Sequence, residues 1–130
     1  MLAWLRRLGR KGPPPPLTGA PAVRRLKSYS AASGYVYQYF YEGRRGAEYV
    51  FQVCGDRRTY FSVAVSLSDA ALEAWQKEGA RELNSTERYA VAKMALFQAF
   101  DECPGPAGMR QPIRVRRRDL AAIAEQLGFM

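Results

Sequence analysis

Residues 35–67 read YVYQYFYEGRRGAEYVFQVCGDRRTYFSVAVSL. Three stretches of β-branched and aromatic residues alternate here with two short turns that contain glycine. Tyr35–Glu42 and Ala47–Cys54 flank a turn at Gly43–Gly46, and Arg58–Leu67 follows a second turn at Gly55–Arg57. Short glycine-containing loops between such runs predict antiparallel hairpins, hence a three-stranded meander. The period of two then sorts the faces. Phe61, Val63, Val65 and Leu67 share one face of the third strand, and Tyr49, Phe51 and Val53 one face of the second. On the first strand Tyr35, Tyr37, Tyr39 and Tyr41 oppose Val36, Gln38, Phe40 and Glu42. Gln38, Glu42, Glu48 and Gln52 mark their face as the wetter one, which assigns the tyrosines to the core with hydroxyls at its rim.

Helical signals follow the meander. Ser68 caps a helix through about Lys77 or Glu78, with Leu67 and Leu72 placed as a hydrophobic staple and Leu72 and Trp75 inward. Asn84 with Glu87 marks the start of a long helix, Ser85–Glu102, ended by Cys103–Pro104. Its apolar arc holds Tyr89, Ala92, Leu96, Phe97 and Phe100. Residues 104–112 form a loop and Ile113–Arg116 a short fourth strand at an edge. The last helix is Asp119–Leu127, with Leu120, Ile123, Ala124 and Leu127 at i, i+3, i+4 and i+7. The expected class is α+β: a three- to four-stranded antiparallel meander covered on one face by two or three helices, in the order β-β-β-α-α-β-α. Three strands followed by a helix resembles, in topology, the β-β-β-α part of a double-stranded RNA-binding domain. The basic cluster such a domain carries at the start of its last helix is absent near Asn84.

Upstream of the meander the composition changes. Residues 1–34 read as a basic amphipathic arm and Pro-rich linker, and residues 35–130 as a single domain. In Met1–Lys11, Leu2, Trp4, Leu5 and Leu8 fall on one helical side and Arg6, Arg7, Arg10 and Lys11 on the other. A helix this short needs a surface to fold on, either a partner protein or an anionic membrane interface. Arg6–Arg7 interrupt the apolar run, which argues against a secretory signal. Pro13–Pro16 form a stiff polyproline spacer. A connector with the basic cluster Arg24, Arg25 and Lys27 follows, and Val23 and Leu26 are placed to pack it on the domain as a single turn.

Of 130 residues, 20 are Lys or Arg and 12 Asp or Glu, a formal net charge of +8. Residues 1–34 carry +7, residues 35–103 carry −2 and residues 104–130 carry +3. The excess therefore sits at the two ends, where it attracts anionic partners at long range. There is no histidine, which excludes histidine triads, histidine general bases and histidine-ligated metals. Two cysteines, Cys54 and Cys103, cannot form a four-cysteine zinc site, and free thiols fit a reducing cytoplasm. No Gly-rich phosphate loop, nucleophile elbow, CxxC pair or EF-hand loop is present. Enrichment in Ala, Arg, Gly and Pro fits a GC-rich bacterial genome.

Three sets of candidate contacts emerge. Trp4, Leu5, Leu8, Arg6, Arg7 and Arg10 on the arm, with Arg24 and Arg25 on the connector, suit a partner or an anion. Arg114, Arg116, Arg117 and Arg118 precede the last helix, where positive charge opposes the helix dipole and an anion would relieve the conflict. The alternative for these arginines is solvation or pairing with Asp101 and Glu102. Tyr35, Tyr37, Tyr39 and Tyr41 are the third set: exposed, they would stack bases, with Arg44–Arg45 and Arg57–Arg58 on phosphates; cross-strand packing is the preferred reading. Lys93 lies inside the apolar arc, where it either titrates low and acts as a base or nucleophile, or snorkels to water. Snorkelling is preferred. The function expected is a non-catalytic accessory or interaction module without cofactor or metal, docking on a larger assembly through the arm and the C-terminal arginines. A nucleic-acid-binding protein, RNA or DNA, and a peripheral membrane protein anchored by residues 1–11 are the alternatives.

Overall fold

A computed structural model describes residues 16–79 and 81–129. Five strands form one sheet in the order β1-β2-β3-β4-β5: β1 (Lys27–Ser30), β2 (Val36–Arg45), β3 (Glu48–Cys54), β4 (Phe61–Leu67) and β5 (Ile113–Val115). The first four pair antiparallel, and β5 joins β4 in parallel. A parallel neighbour needs a long crossover. Here α1 (Asp69–Gly79) and α2 (Ser85–Glu102) supply it, and α3 (Arg117–Gln126) follows β5. The chain is thus the expected α+β fold, with one strand added before the meander.

That strand corrects the reading of the connector. Val23 and Leu26 do not pack on the domain; they are 66% and 55% exposed. Instead Lys27–Ser30 pairs with Val36–Tyr39. The Tyr29 ring stacks on Phe97 at 4.4 Å, and its hydroxyl donates to an Asp101 carboxylate oxygen at 2.8 Å. The Ala32 N–H donates to the other Asp101 oxygen at 2.9 Å. Four residues with one aromatic carry almost no periodic signal. The strand exists because its backbone completes the ladder of β2 and its tyrosine finds α2.

Turn chemistry moves two expected boundaries. β2 runs on through Gly43, where a bulge shifts the register between Tyr41 and Gly43. Gly43 sits at φ +142, and a Cβ there would meet Leu17 and the Thr18 carbonyl at 3.1 Å. The hairpin proper is the pair Gly46–Ala47, between Arg45 and Glu48. Before β4, the Asp56 carboxylate accepts from the N–H groups of Arg58 and Thr59 at 2.8 and 2.9 Å. This side-chain turn holds Arg58–Tyr60 out of the ladder, so β4 begins at Phe61.

The alternation places the core as expected. Tyr37, Tyr39, Tyr49, Phe51, Val53, Val63, Val65 and Leu67 are buried on the helix-covered face. Val50 and Cys54, from the face assigned as wetter, are buried as well, Cys54 with its thiol turned to Asp56 of its own turn. The long helix α2 lays Val91, Ala92, Ala95, Leu96 and Phe100 on the sheet. Phe100 stacks on Tyr37 with centroids 4.3 Å apart. Asn84 and Glu87 form a reciprocal capping box at its start, as their spacing predicts. Ser68 Oγ accepts from the Ala71 N–H at the start of α1, which buries Ala71 and Trp75. Leu120, Ile123 and Ala124 complete the core from α3.

Candidate functional site

Among the described residues, two concavities gather cations. At the first, Pro112, Arg114, Arg116, Arg117, Arg118 and Asp119 line an open concavity of about 610 Å³ where β5 passes into α3. The conflict between these arginines and the dipole of α3 is eased locally, because the Asp119 carboxylate accepts from the Arg116 backbone N–H at 3.0 Å. Arg117 pairs with Glu78 of α1. The expected alternative partners are occupied or elsewhere: Asp101 holds Tyr29 and Ala32, and among the described residues neither Asp101 nor Glu102 pairs with an arginine. Arg114, Arg116 and Arg118 are exposed and have no carboxylate partner among the described residues.

The second place is a cavity of about 320 Å³ at the free edge of β2. Thr18 bridges to Arg44, and Lys27 pairs with Tyr39. The chain between Thr18 and Lys27 therefore spans the middle of β2 without pairing to it, and the cavity opens under that span. Tyr39, Tyr41 and Tyr89 form aromatic walls, Val23 an aliphatic one, and Arg25 and Lys27 contribute positive charge. The Tyr41 and Tyr89 rings meet edge to face at 4.9 Å. Burial raises the pKa of Tyr39, Tyr41 and Tyr89 above an ordinary value of 10.0 that already keeps their hydroxyls protonated at neutral pH. No carboxylate lines this cavity.

Lys93 belongs to its surroundings. It is half-buried on α2, with Nζ 5.8 Å from the centre of the Phe97 ring. The Lys27 ammonium lies near enough to act on its charge. Burial first, and the neighbouring Lys27 second, lower its pKa from 10.5 to about 8. Lys93 thus neither stands isolated in the core nor escapes fully to water.

The tyrosine row divides. Tyr37 and Tyr39 are buried, Tyr41 is half-buried and only Tyr35 is largely exposed, at 44%. The alternative of a stacking surface thereby loses Tyr37 and Tyr39, the preferred reading of core packing holding for both: α2 covers them, and Phe100 occupies the face of Tyr37 that a base would need. Arg24 separates from Arg25. Its guanidinium lies over the Phe40 ring at 5.1 Å, whereas Arg25 lines the cavity. Arg57 and Arg58 are exposed in the Asp56 turn, and Arg44 is half-buried. The arm contacts Trp4, Leu5, Arg6, Arg7, Leu8 and Arg10 lie outside the described residues, and with them the membrane reading of residues 1–11. Sequence patterning alone does not mark Lys27 and Tyr89 as site residues. The one signal for them is spacing, since Tyr89 lies one turn before Lys93 and Lys27 shares a strand face with Tyr29.

Among the described residues no cluster of His, Cys, Asp or Glu could hold a metal ion, and no helix is long and apolar enough to cross a membrane. No protein-family model, no curated protein and no solved structure matches the chain.

Proposed function

We propose that this chain is a non-catalytic interaction module that docks on an acidic protein surface through the arginines around the start of α3. The single observation that carries the reading is the state of that cluster. Arg114, Arg116 and Arg118 are exposed and unpaired with any carboxylate among the described residues, while the one carboxylate lining the same concavity is spent on a backbone N–H. Fixed cations with their counter-charges engaged elsewhere favour an external anion. The arm, with its seven positive charges counted to residue 34, adds long-range attraction on the same terms. Two free cysteines, one buried and one half-buried, fit action in a reducing compartment such as the cytoplasm.

The test is co-purification from the native host of the full chain and of an Arg114→Ala, Arg116→Ala, Arg118→Ala variant, each with and without nuclease. The expected result is a defined protein partner that survives nuclease, is released by moderate salt and is lost with the variant. Equal recovery by the variant would overturn the arginine reading. Recovery abolished by nuclease would replace the protein partner with a nucleic acid, whose affinity would fall roughly one log unit per log unit of salt for each phosphate neutralised.

A further inference from the structure

The cavity at the β2 edge has three properties that together describe a ligand. It is small, about 320 Å³, at the lower end of the roughly 300–1,000 Å³ range of ligand pockets. Its walls are the rings of Tyr39, Tyr41 and Tyr89 with Val23, which is 66% exposed although it is aliphatic and borders the opening. Its charge has one sign, for Arg25 and Lys27 line it, Lys93 reaches Lys27, and no carboxylate is present. Among the described residues no ion pair includes Arg25, Lys27 or Lys93.

Two lysine side chains brought together without an acid repel each other, and long flexible chains would ordinarily part into water. Here Lys93 is half-buried with its ammonium over Phe97, one turn from Tyr89, and the backbone of β1 anchors Lys27 beside it. Convergence of this kind is relieved by an anion that accepts from both. We propose that the cavity binds a small ligand carrying a carboxylate or phosphate on a flat apolar body, the anion against Arg25 and Lys27 with Lys93 behind, and the ring against Tyr41 and Tyr89. Protonated tyrosine hydroxyls add neutral donors to the charged ones, and ring edges meet ring faces in the geometry aromatic groups favour. A ligand seated there would also cover Val23. None of the residues of this cavity belongs to the arginine cluster on α3, so the proposal stands independently of the docking function.

The experiment titrates the full chain, by calorimetry and by chemical shifts, with benzoate, phenyl phosphate, phenol and inorganic phosphate. The expected result is saturable one-site binding of benzoate or phenyl phosphate, at least about tenfold tighter than of phenol or inorganic phosphate. Whichever of the first two binds more tightly identifies the anion. Lys27 is exposed at the end of β1, so Lys27→Gln leaves the core intact; equal melting temperatures verify this. That variant should bind about tenfold more weakly, the worth of one charged hydrogen bond. The Arg114, Arg116, Arg118 variant should bind as wild type does. No saturable binding of either aromatic anion would overturn the proposal. So would phenol or inorganic phosphate binding as tightly as they do, undiminished affinity in Lys27→Gln, or loss of binding in the α3 variant.

Discussion

Tyr37 shows how far a single residue can be understood from its alternation and where packing takes over. Its ring is fully buried and stacked on Phe100, yet its hydroxyl has no hydrogen-bond partner among the described residues. An unpaired buried hydroxyl costs about 1–3 kcal/mol of desolvation. Tyr37→Phe keeps the stacking and removes that cost. The expected outcome is a gain of about 1 kcal/mol, read as a higher urea midpoint at unchanged slope; a lower midpoint would mean that the hydroxyl is bonded. Burial of Tyr37 and Tyr39 is legible from the period of two. The grouping of Lys27 with Lys93 and Tyr89 is not, because Lys27 is more than sixty residues from that turn of α2 and meets it only when α2 crosses the sheet.

At the scale of the element, the start of α2 is a small network. Arg81 forms a two-pronged pair with Glu87 at 2.8 Å on each oxygen, and the Asn84 N–H donates to the same carboxylate at 3.0 Å. Arg81 first and the Asn84 N–H second hold the Glu87 carboxyl at about 2, below its usual 4.5. The folded state therefore binds the proton less readily than the unfolded chain, so this contribution is complete above about pH 4.5 and is lost as pH falls through about 2. Wild type should exceed Glu87→Gln in stability at pH 7. The difference should shrink below pH 4.5 and vanish near pH 2, as followed by urea unfolding across that range. A difference independent of pH would exclude the charge as its cause. The capping box itself was readable from Asn84 and Glu87 three residues apart. Arg81 was not, since nothing in its local sequence orients it towards the first turn of α2.

For the whole molecule the question is where the folding unit begins. β1 closes one edge of β2, buries Ala31, and ties to the end of α2 through Tyr29 and Asp101. A chain starting at residue 35 loses all of this and leaves the β2 edge open to other strands. Relative to a chain starting at residue 16, it should melt lower by roughly 5 °C or more and self-associate at high concentration, as thermal unfolding and sedimentation would show. Equal melting would mean that β1 is only an appendage. The sequence by itself determined the meander, the helix-covered face, the capped long helix and the end-loaded charge, because all of these are local periods, caps and counts. Only the tertiary structure decided that Lys27–Ser30 is a strand, that β5 runs parallel to β4, that Arg117 pairs with Glu78, and that a tyrosine-walled cavity gathers cations at the β2 edge. Those features depend on which backbone edges and side chains come within reach of one another, and in this chain the contacts that create them join residues 6 to 72 positions apart.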